Sequence, residues 1–251
     1  MQRLLRLVRL WCEALVAALR LRRLVRGGNA SVDVWLDHAF SFQVGSTRLA
    51  PTQVRAEIRA LLEELKREPP QTVLEIGTFG GGTLFLFARV AAPEATLVTV
   101  DADGGPGAGL GRLAPRALIC RATAGRRQRV VPLLRTDSHQ LETLEAVRLS
   151  LGNRPLDFLF VDGDHSAEGL RADVALYLPL LRPGGIAAFH DIVDGPTEAV
   201  GGVPEAWREL RTLHAAHEYV DSWSQGGLGI GVLRVGVKGH EQLPDATARP
   251  G

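Results

Sequence analysis

The sequence is poor in cysteine: Cys12 and Cys120 are its only two. They match no metal-ligand spacing and no disulfide framework. That excludes a cysteine-stapled secreted scaffold and fits a reducing, cytoplasmic setting. An excess of charge of one sign is also lacking. The formal net charge is +1, which leaves no whole-protein basis for a nucleic-acid partner. The N-terminal apolar residues are too interrupted by charge to span a bilayer. No small-residue cleavage site follows an unbroken apolar core there, so a signal peptide is not expected. Internal repeats are absent. What remains is 251 residues, 45% of them hydrophobic, enough for one large α/β core with an extension.

The first segment, "MQRLLRLVRLWCEALVAALRLRRLVRGG", holds seven arginines and one acid before Gly27. On a helix, Arg3, Arg6, Arg9, Glu13 and Arg20 share one side, and Leu4, Val8, Trp11, Leu15 and Leu19 share the other. Two readings follow. The helix packs on the domain or on a second subunit of a homo-oligomer, or residues 1–26 attach peripherally to anionic lipid. The polar stretch 27–50 reads as a linker. The chain thus divides into an amphipathic helix and linker (1–50), a main domain (51–237) and a frayed tail (238–251).

Within the main domain "PTQVRAEIRALLEELKREPP" reads as a helix, with Pro51 in its first turn and Pro69-Pro70 as its stop. The pattern then changes to short apolar runs: "TVLEIG" (72–77), "TLVTVD" (96–101), "RVVPLLR" (129–135), "LDFLFVD" (156–162) and "GIAAFHD" (185–191). Helix-compatible segments at 81–91, 138–150 and 167–181 separate most of them. Such alternation predicts βαβ units and a doubly wound, mostly parallel sheet covered on both faces. "HEYVDSW" (217–223) and "GLGIGVLRV" (227–235) lack a long helix between them and suit an antiparallel pair at the sheet edge. The Gly- and Pro-rich segment 103–115 is of lid length.

Chemistry-bearing residues gather at the carboxyl ends of these strands, where open α/β sheets bind ligands. "LEIGTFGGGT" follows the first strand and opens a helix, but it fails the G-x-G-x-x-G spacing of a dinucleotide turn. Its acid, Glu75, suits a cationic or hydroxyl-bearing ligand better than a pyrophosphate. Glu75, Gly77, Thr78 and Gly81 are therefore cofactor candidates. Asp101, with Asp103 second, is placed to accept from ribose hydroxyls. Asp137 could accept an adenine amine, with Ser138 beside it. The fourth strand delivers Asp162, and the fifth delivers His190 and Asp191. Carboxylates suit a hard divalent ion such as Mg²⁺, and the histidine also admits Mn²⁺. His165, three residues past Asp162, is a usable base near neutral pH. Asp164 reads as its partner or as the cap of the following helix.

"VLEIGTFGGGT", "FVDGDHSAEGLRADVALYLPLLRPGGIAAFHDI" and "GGLGIGVLRV" together resemble the class I S-adenosylmethionine-dependent methyltransferases related to the cephalosporin-biosynthesis and macrolide-sugar O-methyltransferases. The resemblance spans roughly residues 70–236. It implies a seven-stranded sheet with a reversed last strand and S-adenosylmethionine as methyl donor. It also implies Mg²⁺ held at positions matching Asp162, His190 and Asp191, and a base matching His165. The chain departs from the pattern at His190, where an acid is usual. The expectation is a metal-assisted O-methyltransferase acting on a hydroxyl of a small molecule or glycosyl group. The competing expectations are a nicotinamide-dependent oxidoreductase on the same sheet, and a non-catalytic, membrane-associated binding protein.

Overall fold

The computed structural model describes residues 2–26, 30–49, 51–102 and 113–236. The chain enters through helices α1 (Gln2–Val25) and α2 (Val32–Ser41), a small hairpin of β1 (Gln43–Val44) and β2 (Thr47–Arg48), and helix α3 (Arg55–Arg67). The main sheet then alternates with helices: β3 (Thr72–Ile76), α4 (Gly82–Val90), β4 (Thr96–Asp101), α5 (Leu113–Ala122), β5 (Arg129–Leu134), α6 (Leu141–Ser150), β6 (Leu156–Val161), α7 (Ala167–Tyr177) and β7 (Leu181–His190). Helices α8 (Thr197–Val200) and α9 (Val203–Leu210) and strands β8 (Ala215–Tyr219) and β9 (Ile230–Arg234) follow.

The sheet has seven strands in the order β5-β4-β3-β6-β7-β9-β8. Its first five strands are parallel, and β9 runs antiparallel to both β7 and β8. This is the expected doubly wound sheet with a reversed last strand. Alternate residues of each strand enter opposite cores. Val73, Phe158 and Phe160 pack beneath α1–α5, whereas Leu74, Leu159 and Val161 pack beneath α6, α7 and α9. Strands buried on both faces read as continuous apolar runs, which is why they were legible. The order reverses direction between β3 and β6, and that crevice lies at the carboxyl ends of both strands.

The structure departs from expectation at several elements. Residues 30–49 are not a linker. Val32, Trp35, Leu36 and Ala39 form the buried face of α2, and Ser31 caps it by accepting from the Val34 amide. That i, i+3, i+4, i+7 spacing was masked by the polar residues between. Pro51 lies ahead of α3, whose N-cap is Val54. Residues 113–122 form a helix despite the Gly- and Pro-rich approach, while the rest of the expected loop (103–112), Asp103 included, lies outside the described residues. So does the expected frayed tail, 238–251. Helix α9 went unread because it is one short element, yet it buries Trp207 against Phe189. The cap of α7 is Ser166, which accepts from the Gly169 amide, and Asp164 instead braces the Ser166 amide.

Helix α1 packs on α5 and on the hairpin through Ala14, Ala17, Ala18 and Leu21. Small side chains allow this close approach, and the leucine face expected to be buried faces outward: Leu4 and Leu19 are 66% and 50% exposed. Glu13 turns inward and is held by Arg9 and by the amide and hydroxyl of Ser46.

The strands of the antiparallel edge are tied to α3 by the buried carboxylate of Glu64. Glu64 receives hydrogen bonds from Tyr219 and Arg234 and pairs with the His217 ring. Burial opposes its charge, but His217, Tyr219 and Arg234 outweigh burial and hold its pKa below the usual range. A depressed carboxylate stabilises the fold above its unfolded pKa, and that contribution fades as pH falls through the folded value. Glu64→Ala should therefore cost about 3 kcal/mol at pH 7, typical of leaving buried partners unpaired, and less near pH 4. Urea denaturation at both pH values measures the difference; an equal cost at both would remove the electrostatic account.

Candidate active site

The chain leaves β3 through a turn that only glycine allows at Gly77. Its φ is +91°, and a Cβ there would lie 1.8 Å from the carbonyl oxygen of Asp162. The Gly77 amide continues the ladder to Val100 and the Asp162 amide bonds to Ile76. The loop after β3 and the loop after β6 are thus pressed together. Gly81, also at positive φ, is the N-cap of α4, and a Cβ there would meet nothing within 4 Å. Among the described residues Gly81 therefore faces open space, the arrangement a ligand needs for close backbone approach.

Three acids around this turn are managed differently. Glu75 is fully buried, and its two oxygens accept from Thr83 (2.5 Å) and Thr99 (2.7 Å). Thr78 in turn contacts Thr99. Burial raises the Glu75 pKa to about 7 against the pull of the threonines. This carboxylate braces the underside of the turn. Asp101 sits at the tip of β4, where its Oδ2 accepts from the amides of Thr78 (3.0 Å) and Phe79 (2.9 Å) and pairs with Arg116 (2.9 Å). Asp137 is half exposed, and its carboxylate accepts from the His139 amide and the Gln140 side chain. Ser138 is buried, and its carbonyl accepts from Tyr177.

At the ends of β6 and β7 the structure gathers Asp162, His165, His190 and Asp191. Asp162 Oδ1, His165 Nε2 and an Asp191 oxygen all lie within 4.8 Å of one another. His165 Nε2 stands 3.6 Å from Asp162 and 3.5 Å from Asp191. Its Nδ1 is 2.6 Å from the carbonyl of Ala199, so Nδ1 donates there and Nε2 is the nitrogen that faces the acids, donating to them when the ring is an imidazolium. Gly201 lets α8 close over this histidine, since a Cβ there would lie 2.0 Å from the His165 carbonyl. His190 is almost wholly buried. Its Nδ1 reaches Asp162 (3.2 Å) and Asp191 (3.4 Å) from behind. The donor set that converges is therefore Asp162, His165 and Asp191, with His190 backing the two carboxylates. The sequence points to His165 as the base and His190 as a metal ligand; here His165 Nε2 faces both acids and His190 contacts them from a buried position. Spacing places both at strand ends but does not say which ring faces the cleft.

Burial alone would raise the Asp162 pKa, yet the charge and contacts of His190 and His165 bring it down to about 2. Contact with Asp162 lifts His165 to about 9 against burial. Burial lowers His190, but Asp162 and Asp191 more than compensate and raise it. The acids are thus compensated by two imidazolium rings. Two carboxylates and an imidazole within reach of one point also fit a divalent ion, which would take over that compensation.

A family model described as a methyltransferase domain matches residues 74–192, the span from β3 to just past Asp191. Residues 74–192 thus carry a methyltransferase domain. Among solved structures, the O-methyltransferase TomG from Streptomyces achromogenes, in complex with SAM, is 19% identical with a TM-score of 0.52, covering 82% of this chain and 90% of that one. MycE, in complex with Mg, SAH and mycinamycin VI, is 16% identical with a TM-score of 0.50, covering 82% of this chain and 54% of that one. At these identities the likeness establishes the fold. No curated protein sequence matches significantly.

The methyltransferase domain borrows residues that lie outside the match. Gln53, ahead of α3, is buried and donates to Asp162 Oδ2 at 2.8 Å. Glu57 accepts from the amides of Asp221 and Gly229 and from Gln225, fixing the β8–β9 loop above the site. Nothing in the local pattern around Gln53 marks it, because its partner is 109 residues away.

Because a protonated His165 beside Asp162 and Asp191 repels a cation, Mn²⁺ or Mg²⁺ affinity should rise with pH and level off above about 9. Calorimetry with the ion alone, at several pH values, measures this. A flat profile, or no binding of either ion, would leave a metal-free polar cleft.

Proposed function

We propose that this methyltransferase transfers the methyl group of S-adenosylmethionine to a hydroxyl of a small-molecule or glycosyl acceptor, with a divalent ion at Asp162 and Asp191. The observation that carries the reading is the convergence of Asp162, His165 and Asp191 beside the glycine turn. Oxygen is a poor nucleophile until its proton is removed, and this cluster combines a base with a site for positive charge. The Mg, SAH and mycinamycin VI bound to MycE, a distant structural neighbour, are consistent with such chemistry.

The Gly77–Gly81 turn and the N-terminus of α4 cradle the cofactor. Asp101 keeps Oδ2 on the turn amides and accepts from the ribose through its other oxygen. Thr78 and Glu75 hold the turn in shape, while Asp137 and Ser138 border the adenine side. S-adenosylmethionine supplies an electrophilic methyl group, and a bound divalent ion supplies positive charge that favours the alkoxide form of the acceptor and neutral His165. His165 Nε2 takes the hydroxyl proton. The acceptor oxygen then forms its bond to the methyl carbon as the carbon–sulfur bond breaks and the electron pair returns to sulfur. The domain contributes alignment of oxygen, carbon and sulfur and exclusion of water.

Asp101→Ala should weaken S-adenosylmethionine binding by about 1.5–3 kcal/mol, the range for hydrogen bonds to a charged group. Unchanged affinity by calorimetry would end the ribose assignment.

The two cleft residues should fail differently. Asp162→Ala should abolish ion binding and transfer together. His165→Ala should retain the ion, keep cofactor affinity and lose roughly 10²–10⁴-fold in turnover, with partial recovery at raised pH. Turnover in an acceptor screen with labelled methyl donor, with and without chelator, reads both. If His165→Ala loses the ion, His165 is a ligand and the base lies elsewhere. If chelator leaves wild-type turnover intact, the ion plays no part.

A further inference from the structure

Helix α1 has a face that no other described residue covers. It seals onto α5 and the hairpin through Ala14, Ala17, Ala18 and Leu21. On its outer side Leu4, Val8, Trp11, Leu15 and Leu19 are all close to half exposed or more. At 100° per residue these five fall within an arc of about 80°. Arg22 and Arg26 project onto the same arc one turn further on, and both are exposed. Arg23 flanks the strip, also exposed. The helix carries one acid, Glu13, and it is turned inward onto Arg9 and Ser46. The outer face is therefore apolar for most of its length, cationic at one end and free of negative charge.

We propose that this face docks the protein on an anionic lipid surface, with the apolar strip entering the acyl boundary and the arginines meeting headgroup phosphates. Charge complementarity selects this occupant. A second copy pairing antiparallel would lay Arg22 and Arg26 against Leu4 and Val8 of its twin. A parallel pair would set arginine against arginine, and neither arrangement supplies a carboxylate. A lipid surface offers both an apolar layer and phosphate at the depth where such a helix lies. No helix among the described residues is long and apolar enough to cross a membrane, so the helix lies on the surface.

The docking face is rigidly linked to the site. Glu13 clamps Ser46 in the hairpin turn. Just beyond, a Cβ on Gly80 would meet the carbonyls of Arg48 and Leu49 within 3 Å, and one on Gly82 would meet that of Leu49. Docking would therefore fix the orientation of the glycine turn toward the lipid surface.

The test uses the full-length protein and vesicles of phosphatidylcholine with or without phosphatidylglycerol, at low and high salt. Co-sedimentation should occur only with phosphatidylglycerol and should fall at high salt, where exposed charges are screened. In a Trp223→Phe background, Trp11 is the remaining well-exposed tryptophan among the described residues, and its emission should shift to the blue on binding. Leu15→Asp, and separately Arg22→Glu with Arg26→Glu, should lower the bound fraction at least tenfold. These positions are exposed, and unchanged S-adenosylmethionine affinity reports that the fold is intact. Full-length protein that ignores phosphatidylglycerol vesicles at low salt overturns the proposal. So does a dimer in light scattering that Leu15→Asp dissociates, because a second copy would then cover the strip.

Discussion

The site depends on one close approach. Gly77 has no side chain, so the loop after β3 can press against the backbone of Asp162 after β6. Any other residue would push the two loops apart, because a Cβ would overlap the Asp162 carbonyl. That contact sits where the strand order reverses, and it sets the glycine turn beside the carboxylates of the neighbouring strands. The glycine turn and an acidic cluster thereby share one crevice. Methyl transfer needs that proximity, since donor carbon and acceptor oxygen must meet in line.

Around this crevice the acids divide by how their charge is compensated. Glu75 is buried among threonines, and its raised pKa marks it as a brace for the turn. Asp101 uses one oxygen to hold the turn amides and Arg116. Asp162 and Asp191 are too close to share a cleft unaided, and two histidines neutralise them. Asp191 also adopts a φ of +63°, unusual for a residue with a side chain, and its carboxylate accepts from the Leu228 amide. Backbone strain held in place by surrounding bonds is often found where a side chain must be aimed.

The segment ahead of β3 is part of this arrangement. Leu49 and Pro51 lie over Gly82, Gln53 reaches Asp162, and Glu57 binds the loop that closes the sheet. Helix α1 in turn braces the hairpin from which that strap emerges. The chain ahead of the sheet thus forms one wall of the crevice, and its outer side carries the exposed apolar strip.

The elements legible in the sequence were those whose signal is local. Continuous apolar runs mark β3, β4, β6 and β7 because both their faces are buried, and the acids at their tips stand out against that background. The glycine turn, Asp162, His165 and the His190–Asp191 pair were readable for the same reason: strand ends place residues at one edge by topology alone. What the sequence could not carry was any relation between distant segments. Alternation along β7 does not tell which of two rings, His165 or His190, faces the cleft; the α8 turn closing over His165 decides that. An amphipathic pattern in α1 does not tell which stripe is buried, because alanines that permit close packing were weaker signals than leucines. The role of Gln53 depends on a contact across 109 residues, so it exists only once the chain has folded. Local periodicity and strand-end position determined the fold class and the candidate residues. Ring orientation, charge compensation and the choice of buried face were decided by tertiary packing, which alone sets distances between groups remote in the chain.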